Sequence, residues 1–119
     1  MSIPEPRPVD ETFYVGLSEY LVPEDVVLDH LVEHRAWIKR AYDAGIMLVS
    51  GRQEPPVGGV LVFRAESRKA AEAFAESDPF ALAGVSRYRV IGFTPTHLPW
   101  RSPAFDLFAD SGEEQRSGA

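Results

Sequence analysis

Apolar residues gather in four short runs, Thr12 to Leu17, Ile46 to Ser50, Val60 to Arg64 and Tyr88 to Phe93, each bounded by turn-forming or charged residues. β-branched and aromatic side chains are frequent in them, which suits strands. None alternates cleanly between apolar and polar, as a strand with one wet face would. The pattern therefore predicts a sheet that is apolar on both faces. Only two stretches of useful length read as helices, enough to cover one face. Buried apolar surface contributes about 25 cal/mol per Å², so a whole sheet face left in water would cost several times the ~5–15 kcal/mol net stability of a domain. The second face is expected to be covered by a partner subunit.

Between the first two runs, Pro23 ends the extended segment, and Glu24 and Asp25 place negative charge at the positive end of a helix expected to continue to about Ala44. Gly45 is its expected stop. Val27, Leu31, Ile38 and Ala41 form its apolar stripe, with His34 in the middle. Asp29, Glu33, Lys39, Arg40 and Asp43 form its other side. A proline- and glycine-rich loop with Pro55-Pro56 and Gly58-Gly59 separates the second run from the third. Ser67 is a good N-cap for a second helix, Arg68 to about Glu76. The step Ser77-Asp78-Pro79-Phe80 interrupts that helix, and a short turn then runs to Gly84.

The order β-α-β-β-α-β predicts an α+β, ferredoxin-like antiparallel sheet with both helices on one face. Residues 1–11 are expected to form an irregular proline-rich lead-in, residues 12–95 the domain, and residues 96–119 a C-terminal extension expected to be partly disordered. Leu98, Trp100, Phe105, Leu107 and Phe108 could dock that extension before its polar end.

Length and charge narrow the function classes. The 119 residues suffice for one domain. With no cysteine there is neither a disulfide nor a thiolate nucleophile or zinc cluster, which suits a reducing compartment. Residues 1–8 hold no apolar core of a leader, and no run approaches the ~18 residues needed to span a bilayer. A cytoplasmic location is expected. The net charge is −6 and the ten arginines are scattered, so neither nucleic acid nor an anionic membrane is an expected partner.

Candidate chemistry centres on histidine. His30 to His34 fits the H-x-x-E-H string of inverted zinc proteases, yet such enzymes need a third ligand and usually a longer chain. No metal or other cofactor is expected. His34 stands where the helix stripe calls for an aliphatic residue, and a buried imidazole needs a hydrogen-bond partner. That partner is either a backbone carbonyl, making His34 structural, or a carboxylate, which would orient the ring for proton transfer near neutral pH. Asp78 before Pro79 reads as an N-cap and N1 pair, a role sufficient to explain it. Tyr14, Ser50, Arg52, Arg87 and Tyr88 are lesser pocket candidates, better read as strand-edge or surface residues. The pair Trp37 and Tyr42 reads as packing. Gly51, Gly58 and Gly59 match no nucleotide-binding pattern.

Several stretches together resemble the YciI-like family, within the dimeric α+β barrel superfamily that also holds muconolactone isomerase-like proteins. They are His34-Arg35-Ala36-Trp37-Ile38, Asp43 to Gly51, Glu72 to Phe80, Ala83-Gly84-Val85 and Val90 to Phe93. The resemblance implies a homodimer in which two sheets pack together, and the tail beyond Thr96, longer than in minimal members, leaves room for a swapped segment or a higher oligomer. It also implies a His–Asp pair in a cleft, here His34 and Asp78, serving a small organic ligand. Relatives include a dehydrochlorinase acting on a chlorinated hydroxyquinol. Gly51-Arg52 departs from the Gly-Pro of many relatives, which implies a different pocket rim. The leading expectation is a cofactor-independent isomerase or lyase using His34 and Asp78. The rival is a metabolite-binding or assembly module with a structural His34.

Overall fold

The computed structural model describes residues 12–96. The expected lead-in, almost all of the C-terminal extension and His97 lie outside the described residues. Strand β1 spans Phe13–Tyr20, β2 Met47–Arg52, β3 Gly59–Arg64 and β4 Ser86–Phe93. They form one antiparallel sheet in the order β2-β3-β1-β4. This is the ferredoxin-like arrangement. Among the described residues no helix is long and apolar enough to cross a membrane.

The helical layer departs from expectation in one place. The predicted helix to Ala44 is two helices, α1 Glu24–Leu28 and α2 Leu31–Asp43. At the break the N–H groups of Asp29 and His30 bond back three residues, to Val26 and Val27, a tighter turn than the α-helical one. Asp and His are weak interior helix formers, and the break lets Val27 bury against Phe80 and Val85 while Trp37 and Ala41 reach the main core. As expected, Gly45 stops α2. It has φ 74°, and the N–H groups of Gly45 and Ile46 return to the carbonyls of Tyr42 and Ala41, a Schellman closure.

Helix α3, Arg68–Glu76, begins at Ser67, whose hydroxyl accepts the Ala70 N–H at 3.0 Å. The short α4, Pro79–Leu82, ends in the same way as α2, with Gly84 at φ 72° and the N–H groups of Gly84 and Val85 returning to Ala81 and Phe80.

Register decides which side chains meet the helices. Tyr14, Gly16 and Ser18 of β1 lie against Phe63 and Leu61 of β3 and against Gly92, Val90 and Tyr88 of β4. Their face packs on Trp37, Ala41, Ala71 and Ala75. The opposite face carries Phe13, Val15 and Leu17 beside Val60 and Val62, with Val49, Ile91 and Phe93 about two-fifths exposed. Both faces are thus apolar, and among the described residues no helix covers the second.

Candidate active site

Two local features bring the site together. Asp78 leaves α3 with φ −58° and ψ 129°, the extended conformation that a following proline favours, and so points its carboxylate back into the protein. His34 sits on the α2 stripe facing it. The His34 Nδ1 lies 2.7 Å from Asp78 Oδ1. Asp78 is fully buried, while the His34 side chain is 19% exposed, so the ring reaches from the carboxylate to the surface.

The Asp78 carboxylate meets two further donors. Oδ1 also accepts the Phe80 N–H at 3.0 Å, and Oδ2 accepts the Tyr88 hydroxyl at 2.5 Å. Tyr88 arrives from β4, with its ring across Gly16, where a Cβ would lie 3.4 Å from the ring. Burial raises the Tyr88 phenol well above its ordinary value, and the Asp78 charge and the hydrogen bond to it act in the same direction. The Ser18 hydroxyl opposes that rise by hydrogen-bonding to Tyr88, and it also accepts the Gly59 N–H at 2.7 Å.

The walls are aromatic. Phe80 stacks on the His34 imidazole with centroids 3.9 Å apart and planes 4° from parallel. Tyr20 meets Phe80 edge-on. Its phenol is raised by burial first and by the Glu24 carboxylate second, while Arg52 opposes both. Arg52 and Glu24 approach to 3.9 Å and are substantially exposed, which places an ion pair at the rim.

A family model described as the YCII-related domain matches residues 12–94. The chain belongs to this family. No curated protein matches the chain. Among solved structures, one similar chain is the 5-chloro-2-hydroxyhydroquinone dehydrochlorinase TftG from Burkholderia phenoliruptrix AC1100, in complex with 2,5-dihydroxybenzoquinone. It is 22% identical with a TM-score of 0.56, and the match covers 67% of this chain and 90% of that one. At this identity the likeness is one of fold.

Within the YCII-related domain, the other candidates separate. Tyr14 is a core residue stacked with Phe63. Ser50 shares a hydrogen bond with Tyr42 at 2.9 Å. Arg87 pairs with Glu19 on the uncovered sheet face. Arg52 acts on Tyr20 and pairs with Glu24, and of these candidates Tyr88 is the one that touches the His34–Asp78 pair. His30 precedes α2 as its N-cap and does not share that helix with His34. Among the described residues no group of three or more His, Asp or Glu side chains is arranged to hold a metal.

Tyr88 was the residue sequence reasoning undervalued. Its signal lies in Ser86-Arg87-Tyr88-Arg89-Val90, where two arginines alternate with less charged neighbours and place Tyr88 on the inner face.

Proposed function

We propose that the protein binds a small organic molecule and performs acid/base chemistry on it, with His34 as the proton-transferring group and Asp78 holding it. The observation that carries this reading is the 2.7 Å contact between His34 Nδ1 and a buried carboxylate. Asp78 fixes one ring nitrogen, and the partly exposed imidazole offers Nε2 to a ligand. As base, Nε2 takes a proton from a carbon or hydroxyl of the ligand. Returning that proton to another ligand atom completes an isomerisation, whereas departure of a leaving group with the freed electron pair completes an elimination.

Family membership and the dehydrochlorinase fold neighbour support an elimination or isomerisation of an oxygenated ring. The stacked Phe80 and the edge-on Tyr20 suit a flat ligand. The uncovered apolar sheet face supports a homodimer with sheets packed face to face, and the absence of cysteine supports work in the cytoplasm.

The test is separate replacement of the pair, His34→Gln and Asp78→Asn, with binding of 2,5-dihydroxybenzoquinone and turnover of chlorinated hydroxyquinols as readouts. Loss of about 100-fold or more in turnover is expected for His34→Gln. Undiminished turnover in both variants rules out the pair.

A second reading rests on the Phe80 N–H bond to Asp78, an N-cap that would exist without catalysis. In that case the protein is a binding or assembly module and His34 is structural. His34→Gln would then lower stability and leave ligand binding unchanged.

A further inference from the structure

The hydrogen-bond directions around Asp78 determine where its protons lie. The Gly59 backbone N–H can only donate, so Ser18 Oγ accepts there and directs its own hydrogen elsewhere. Ser18 stands directly opposite Tyr88 in the β1–β4 register, and its hydroxyl opposes the rise of the phenol. Tyr88 in turn donates to Asp78 Oδ2 at 2.5 Å. Oδ1 is occupied by the Phe80 N–H, a donor with no alternative role. A carboxylate met on both oxygens by donors has little room for a proton of its own. Its remaining neighbour, His34 Nδ1, then has to be N–H.

From this chain of donors we infer that Tyr88 is a positioning residue that acts through Asp78, holding the carboxylate ionised, fixing the His34 hydrogen on Nδ1 and limiting how strongly His34 binds a second proton. A donor to a carboxylate spreads its charge and makes it less basic, so the imidazolium beside it is stabilised less. Ser18 stands behind Tyr88 in the same series. The titratable groups around the pair are Tyr88 from β4 and Tyr20 from β1, and Glu24 of α1 and Arg52 of β2 act in turn on Tyr20. Of these, Tyr88 bonds directly to the Asp78 side chain.

The inference deepens the acid/base reading of the same site, and its test counts bound protons without using turnover. It can therefore fail or stand independently of any reaction. Ring-nitrogen NMR of the full chain, isotopically labelled at histidine, should place the neutral-form hydrogen of His34 on Nδ1. A hydrogen on Nε2 overturns the assignment.

The same signals followed through a pH titration in Tyr88→Phe should show the pair taking up its proton about half to one pH unit higher than in the unmodified protein. A merely structural role predicts the opposite, because a loosened pair would lose the support of Asp78 and titrate lower. An unchanged or lowered midpoint overturns the proposal. Ser18→Ala should give a smaller upward shift, and Asp78→Asn should abolish the effect of Tyr88→Phe; a full shift retained without the carboxylate also overturns it. If Tyr88→Phe does not fold, the nitrogen assignment in the unmodified protein and the Ser18→Ala titration decide the matter.

Discussion

Trp37 donates its indole N–H to the Ser77 hydroxyl at 2.9 Å, and Ser77 passes its own hydrogen to the Phe74 carbonyl at 2.6 Å. Trp37 lies three residues after His34, and Ser77 immediately precedes Asp78. The bond therefore joins the two segments that carry the pair, and Trp37 also stacks on Phe74 with centroids 4.7 Å apart. Trp37→Phe keeps an aromatic ring but removes the donor. The expected cost is about 0.5–1.5 kcal/mol for the bond, with a further loss from the smaller ring. Denaturant unfolding measures the cost, and an unchanged midpoint would remove Trp37 from this role.

The phenols give the fold an alkaline limit. Tyr88 and Tyr20 both titrate above the ordinary 10.0 in the folded chain. Above that value the unfolded chain releases phenolic protons that the folded chain retains, so unfolding becomes more favourable as pH rises. Their contribution is complete below about pH 10 and declines above it. Melting temperature measured from neutral to strongly alkaline pH should fall more steeply in the unmodified protein than in Tyr88→Phe. Equal slopes would contradict the assignment.

Gly58 is held against β1. A Cβ at this position would lie 1.8 Å from the Ser18 carbonyl oxygen, and the Gln53 side chain already donates to that oxygen at 2.7 Å. Gly58→Ala must push the loop away from Ser18. A loss of about 1–3 kcal/mol in denaturant unfolding is expected, whereas Gly51→Ala, where a Cβ meets nothing within 4 Å, should cost less.

Ser86 behaves in the opposite way. Its hydroxyl oxygen is buried and has no hydrogen-bond partner among the described residues. Removing an unsatisfied hydroxyl removes a desolvation cost, so Ser86→Ala should be neutral or stabilising by up to about 1 kcal/mol. A clear destabilisation would reveal a partner for this oxygen.

The uncovered sheet face supplies the test of assembly. Val62 sits between Val15 and Val49 in the sheet register. Val62→Glu should convert a homodimer into single chains, as read by sedimentation. If the unmodified protein itself sediments as one folded chain, the homodimer reading fails.

Much of the fold was legible because its punctuation is chemical. Gly45, Gly84 and Ser67 have side chains, or lack them, for reasons that act within a few residues. The apolar runs likewise predicted four strands and their second apolar face. The break at Asp29 and His30 was not legible, because neither residue forbids a helix and the tighter turn answers to packing of Val27 and Trp37. For the site, His34 stood out by replacing an aliphatic residue in its stripe. Its contact with Asp78 spans 44 positions and depends on the α3–α4 corner, so spacing alone left the partner open. Tyr88 was harder still, since sheet register decides which face it joins.

The near-parallel stack of Phe80 on His34 has a stereochemical consequence. With Nδ1 occupied by Asp78, protons are exchanged with a ligand at Nε2, in the plane of the ring, and the phenyl ring keeps a ligand from lying over one face of the imidazole. A flat ligand seated there presents one side of its reacting carbon to Nε2. On the acid/base reading proposed above, protonation at a prochiral centre beside Nε2 would therefore deliver hydrogen to a single face and yield one mirror-image product.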